Sequence, residues 1–178
     1  LPNISNSDRA RAMQEPNFAR AFALYNSDAN RSFANREWNW AVKQARDKRD
    51  DNLIIAAARV AHDMGWLDRA IYAVDNTDRV DSLALSHPMP HQSAVVRYSQ
   101  DAGIDPAWAY GIMRQESRFV TSARSNVGAS GLMQVMPDTA KYIARNLGET
   151  YSASRANSGD TNIRYGTWYM GDILGKLN

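Results

Sequence analysis

Glu116-Ser117 closes an apolar stretch, and a polar run beginning at Ser125, eight positions beyond Ser117, leads into Gly131-Leu132-Met133-Gln134. A glutamate beside a glycine-punctuated loop suits proton transfer on a bulky polar substrate. A carboxyl group can donate to a leaving oxygen and then recover a proton. Gly128 and Gly131 allow the backbone to approach a ligand closely. Ser125, Asn126, Ser130 and Gln134 offer neutral donors and acceptors for sugar hydroxyls and acetamides, and Met133 and Met136 add soft apolar contact. Taken singly, each loop residue is as readily explained by an ordinary turn, and each methionine by a core.

A helix must carry Glu116. Asp105 can cap free amides, and Pro106 at the first helical position sacrifices no hydrogen bond. From there Ala109, Ile112, Met113 and Glu116 recur at helical spacing, with Trp108 alongside, which predicts that Glu116 projects from the buried face. Burial and the negative helix end would both favour its protonated form, as a general acid requires. The competing reading is a structural glutamate paired with Arg114, Arg118 or Arg124. Other acids suit the role less: Asp105 and Asp160 sit at cap positions, and Asp138 lies in the first turn after Pro137. Asp172 falls opposite an apolar stripe, Glu149 follows Gly148 in a loop, and Asp101 precedes Gly103. A lone acid matters because ordinary glycosidases place two carboxyl groups across the scissile bond.

Two further helices are expected around this unit. Asp138–Leu147 has Ala140, Ile143, Ala144 and Leu147 on one stripe and Gly148 as its stop. The last opens near Asp160, with Ile163, Gly166, Met170, Ile173, Leu174 and Leu177 as its apolar row. Residues 1–86 also read as helical. Phe18, Ala21, Phe22 and Tyr25 form one face, and Phe33, Trp40 and Ala41 begin another. Leu53–Met64 carries alanines small enough for close packing, and Trp66–Val74 is a fourth segment. Short helices joined by polar turns predict a helical-hairpin array, with Ser86-His87-Pro88-Met89-Pro90 as the boundary.

The 178 residues suit one or two small domains, and 44% apolar content suffices for a core. With no cysteine there is neither a disulfide nor a thiolate metal site. His62, His87 and His91 lack ligand spacing, so no metal and no cofactor are expected. No apolar run approaches the ~20 residues of a membrane span. A formal charge of +2, with Arg46–Arg49 interrupted by acids, argues against a nucleic-acid partner.

The combined pattern is more specific than its parts. Glu116-Ser117, then Ser125-x-x-Gly-Ala-x-Gly-Leu-Met-Gln-x-Met-Pro-x-Thr-Ala, and later Asn162-Ile-x-x-Gly-x-x-Tyr-Met170 resemble the soluble lytic transglycosylases over about residues 87–178. The resemblance implies an all-α chain: a helical-hairpin repeat segment, residues 1–86, followed by a goose-lysozyme-like α-helical catalytic domain. It implies Glu116 as the catalytic acid/base, Ser117 as its support, and Ser125, Gln134 and Met136 as residues lining the saccharide groove. It further implies peptidoglycan glycan strands as substrate, cell-wall synthesis or remodelling proteins as partners, and the periplasm of a Gram-negative bacterium as location. The family's later Ala-Tyr-Asn-Ala-Gly segment does not occur before Asn178, so residues 87–178 are expected to be the N-terminal portion of the catalytic domain.

The function expected is non-hydrolytic cleavage of the bond between N-acetylmuramic acid and N-acetylglucosamine, leaving a 1,6-anhydro sugar. A goose-type hydrolase on the same fold and a non-catalytic peptidoglycan-binding scaffold are the alternatives. The lone carboxylate favours the first over the second, and the Glu-Ser and Gly-Leu-Met-Gln pairing favours an enzyme over a scaffold.

Overall fold

The computed structural model describes residues 1–79 and 82–177, and every regular element among them is a helix. The chain divides into two compact units, Leu1–Pro88 and Met89–Asn178.

The first unit holds α1 (Asn6–Gln14), α2 (Pro16–Tyr25), α3 (Arg31–Asp47), α4 (Asp51–Asp63), α5 (Leu67–Val74) and the short α6 (Leu83–Ser86). Caps written in the sequence set several starts. Ser5 accepts from the Asp8 amide, Glu15 from those of Asn17 and Phe18, and Asp50 from that of Leu53, each satisfying an amide that a helix start leaves free. α2 packs on its chain neighbour α3 and α4 on α5, as in helical hairpins, and α4 also packs on α1. An aromatic cluster fills the core: Phe18 and Phe22 meet the Trp38 ring edge-on, with centroids at 5.0 and 5.6 Å. Trp66 lies 5.2 Å from Trp38 and stacks on Tyr25 at 4.4 Å. Ala56, Ala57, Ala58 and Ala61 of α4 are fully buried, the close contact expected of them.

One stripe differs from expectation. On α3 the buried row is Ala34, Trp38, Ala41, Val42 and Ala45, whereas Phe33 and Trp40 are 54% and 53% exposed. Trp38 and Trp40 are two positions apart and therefore about 200° apart around a helix, so only one of them can face the core.

The second unit comprises α7 (Gln92–Ala102), α8 (Pro106–Ser117), α9 (Pro137–Asn146), α10 (Ala153–Ala156) and α11 (Gly159–Leu177). α11 is the organising element and packs against α7, α8, α9 and α10. Its N-terminal half is buried at Asn162, Ile163, Tyr165, Gly166 and Thr167. The apolar row expected to continue does not remain covered, since Ile173 and Leu177 are 40% and 78% exposed. Gly171 lets α11 meet the C-terminal end of α7, because a methyl group there would collide with the Ala102 carbonyl.

Candidate active site

Glu116 occupies the last turn of α8. Asp105 caps this helix by accepting from the Ala107 amide at 2.8 Å, and Pro106 begins it. Ala109 and Met113 are fully buried, and Ser117 continues their row. The adjacent row, Trp108, Ile112 and Glu116, faces outward: Trp108 is 55% exposed, Ile112 37%, and Glu116 is exposed as well. The expected burial of Glu116 is therefore corrected. Residues four apart form two neighbouring rows on this helix, both containing apolar residues, and the one that faces the interior is Ala109–Met113–Ser117.

The alternative expectation for Glu116 is a pairing with arginine. Among the described residues its carboxylate makes no hydrogen bond and no ion pair, whether with Arg114, Arg118, Arg124 or any other group. Four other acids of this unit are engaged. Asp160 accepts from the Tyr98 hydroxyl at 2.7 Å, and Asp138 pairs with Lys141 at 3.0 Å. Asp172 pairs with Lys176 at 2.6 Å and accepts from the Tyr142 hydroxyl. Glu149 is bound by Arg164 at 2.6 Å, Arg155 at 3.2 Å and the Tyr165 hydroxyl at 3.1 Å. Burial pushes the Glu149 carboxyl up, but hydrogen bonds from Arg164 and Tyr165 and the two arginine charges outweigh it and hold the group below the usual carboxylate range.

Ser117 fastens the end of α8 to the loop. Its Oγ lies 2.7 Å from the Leu132 carbonyl oxygen and 3.1 Å from that of Met113, and it accepts from the Phe119 amide at 3.1 Å. The chain turns sharply there: Arg118 and Phe119 both have left-handed backbone angles, φ 46° and 66°. Such angles cost a residue with a Cβ about 1–2 kcal/mol. The Ser117 acceptor and the buried Phe119 ring, 7% exposed, hold the bend.

The loop from 118 to 136 is closed by its own polar groups. Ser125 Oγ accepts from the Ala129 amide at 2.9 Å, while the Ser125 amide donates to the Ala129 carbonyl at 2.9 Å. Gln134, itself left-handed at φ 49°, donates through Nε2 to the carbonyls of Ala123 and Gly131 at 3.0 and 2.8 Å. Met136, 39% exposed, stands at the N-cap of α9, where Pro137 starts the helix. Ser117, Ser125 and Gln134 are thus joined through one hydrogen-bonded loop, and none of them bonds to Glu116 directly. In this structure, Ser125 and the Gln134 amide nitrogen are spent on loop shape.

Asn162, a residue to which sequence reasoning assigned no role, holds the loop from behind. It is fully buried, accepts from the Met133 amide through Oδ1 at 2.7 Å, and donates through Nδ2 to the carbonyls of Ser130 and Ala156 at 2.9 and 3.0 Å. Gly131, at φ 82°, must be glycine twice over, because a Cβ would also lie 2.5 Å from the Asn162 carboxamide. Met133 lies flat on Gly166 of α11, where any side chain would collide with its sulfur. The available signal was an asparagine directly before Ile163 at the start of an apolar row.

A family profile described as the transglycosylase SLT domain matches residues 93–178, and one described as the soluble lytic murein transglycosylase L domain matches residues 11–83. The soluble lytic murein transglycosylase of Salmonella typhimurium is 32% identical over 161 residues, covering 88% of this chain and 24% of that protein. The chain therefore spans about a quarter of the length of the curated relatives it matches. Among solved structures, lytic transglycosylase Slt from Pseudomonas aeruginosa, an inactive glutamate-to-glutamine mutant, superposes with a TM-score of 0.86 at 34% identity, over 99% of this chain and 28% of that one. The 70-kDa soluble lytic transglycosylase of Escherichia coli gives 0.77 at 28% identity, over 100% and 28%. With an L-domain segment followed by an SLT domain, this all-α chain belongs to the soluble lytic murein transglycosylase family.

Proposed function

We propose that the second unit cleaves peptidoglycan glycan strands at the bond between N-acetylmuramic acid and N-acetylglucosamine, with Glu116 as the single acid/base. The observation that carries this reading is the free Glu116 carboxylate, exposed beside Trp108 and Ile112 and anchored through Ser117 to the Gly-Leu-Met-Gln loop. A structural glutamate would have a partner. A glycan strand laid on this face excludes water around Glu116, supplying at the moment of reaction the burial that the free chain lacks.

In the reaction Glu116 gives its proton to the glycosidic oxygen, and the bond from that oxygen to C1 of the muramic acid breaks with assistance from the acetamido group. The C6 hydroxyl oxygen of the same sugar then bonds to C1, and its proton returns to Glu116. The product is a 1,6-anhydro sugar and no water is consumed. Ser125, Gln134 and Met136 border the groove in this proposal, with the unengaged Gln134 Oε1 available to a sugar hydroxyl or amide. A peptidoglycan substrate, with relatives in Salmonella typhimurium and Escherichia coli, supports action in the periplasm of a Gram-negative bacterium, alongside proteins of cell-wall synthesis or remodelling. No described helix is long and apolar enough to cross a membrane.

The test is Glu116→Gln in the full-length protein containing these residues. The amide is isosteric but cannot donate and recover a proton, so release of soluble muropeptides from sacculi should fall by at least ~10²–10⁴-fold with the helical spectrum unchanged. The inactive Pseudomonas relative carries the same type of exchange. Undiminished release would remove Glu116 from the mechanism.

A further inference from the structure

We infer that the first unit carries a saccharide-binding subsite of its own, floored by Trp40. A cavity of about 250 Å³ is lined by Asn39, Trp40, Lys43 and Arg46 of α3, and by Tyr72 and Asn76 from α5 and the turn after it. Below the ~300–1,000 Å³ of a drug-sized pocket, it suits one sugar ring. Trp40 is 53% exposed although two other tryptophans of the same unit, Trp38 and Trp66, are at most 1% exposed. Packing within this unit therefore does not account for it. Lys43 Nζ lies over the ring at 5.8 Å, yet half the residue remains open.

The polar rim is held in place while keeping unspent groups. Arg69 donates to Asn39 Oδ1 at 2.7 Å and lies over the Tyr72 ring at 5.0 Å, and Arg46 donates to Asn76 Oδ1 at 2.9 Å. Asn76 in turn donates to the Tyr72 carbonyl at 2.8 Å. Among the described residues this leaves the Asn39 amide nitrogen, the Tyr72 hydroxyl and the other N–H groups of Arg46 without partners. An exposed aromatic face with fixed planar donors around it matches the apolar face and equatorial hydroxyl and acetamide groups of an N-acetylhexosamine. Of the two cations lining the pocket, Lys43 pairs with Asp47 at 2.7 Å and Arg46 bonds to the neutral Asn76 Oδ1, so the rim keeps one positive charge and no acid. The choice of N-acetylhexosamine rests on the proposed substrate; the subsite itself rests on this pocket.

Tryptophan indole signals in a nitrogen–proton correlation spectrum test both surfaces at once, with tetra-N-acetylchitotetraose as the titrant. Trp40 reports the pocket and Trp108 the Glu116 face, each identified by loss of its signal in Trp40→Phe or Trp108→Phe. The Trp40 signal should shift saturably. Asn39→Ala should weaken the fitted affinity about tenfold or more, as truncation of a central contact does, with an unchanged melting temperature. A shift of Trp108 alone would overturn the inference and leave the proposed function standing. A shift of Trp40 alone would support the subsite even if Glu116 proved irrelevant. If neither signal moves, the subsite is overturned.

Discussion

The hydroxyl of Ser117 lies 2.7 Å from the carbonyl oxygen of Leu132, fifteen positions further along the chain. This contact ties the helix end bearing Glu116 to the loop whose far side Asn162 grips. We propose a positioning role for Ser117: through this contact it fixes where the preceding residue, Glu116, points. Ser117→Ala should lower kcat by ~10–100-fold, because misplacement of about 1 Å can cost 10² in rate. KM should change little, and Ser117→Thr should restore part of the loss. Steady-state kinetics on soluble glycan strands would check this; a rise in KM at constant kcat would instead make Ser117 a binding residue.

Product chemistry separates a transglycosylase from a lysozyme-type hydrolase. If Glu116 acts alone, no second carboxylate activates water on the far face of the sugar. The C6 hydroxyl is held in the same molecule, where effective concentration favours it. Mass spectrometry of digested sacculi should find muropeptides one water lighter than hydrolysis products and lacking a new reducing end. Predominantly hydrated products would leave the hydrolase in its place.

Asn162 offers a test of loop architecture. Asn162→Ala leaves the Met133 amide and the carbonyls of Ser130 and Ala156 without that partner, at about 1–3 kcal/mol for each buried group left unpaired. Gly131→Ala should also destabilise, through the 2.5 Å clash with the same carboxamide and its positive φ. Because both changes act on one contact, the double variant should lose less than the sum of the singles. Urea unfolding of the four proteins would measure this, and strict additivity would show the two residues to be independent.

Glu149 predicts an acid limb in stability. Its folded carboxyl sits below the ordinary value of 4.5 because Arg164, Tyr165 and Arg155 favour the ionised form over the opposing effect of burial. A depressed carboxyl contributes stability above its unfolded value and loses it as pH falls through the folded value. Wild type should therefore exceed Glu149→Gln in urea midpoint at pH 7, with the gap shrinking progressively below about pH 4.5. A gap that widened on acidification would reverse the sign assigned here.

The helical class, the starts at Asp105-Pro106 and Pro137, and the candidate glutamate were legible from residue types and spacing alone. Caps, prolines and apolar periodicity act over a few residues, so their consequences can be read without knowing what the helix packs against. What only the tertiary structure decided is which of two neighbouring rows faces inward. On α8, Trp108–Ile112–Glu116 and Ala109–Met113–Ser117 are about 100° apart and both contain apolar residues. Packing within the second unit, where α8 meets α7 and α11, buries the second and leaves Glu116 open. The same ambiguity let Trp40 pass for a core residue when Trp38 fills that place. Asn162 belongs to the structure for a further reason: its three partners, Met133, Ser130 and Ala156, lie 29, 32 and 6 positions away. A polar side chain inside an apolar row has no local purpose, and its hydrogen bonds exist only once α11 and the loop have come together.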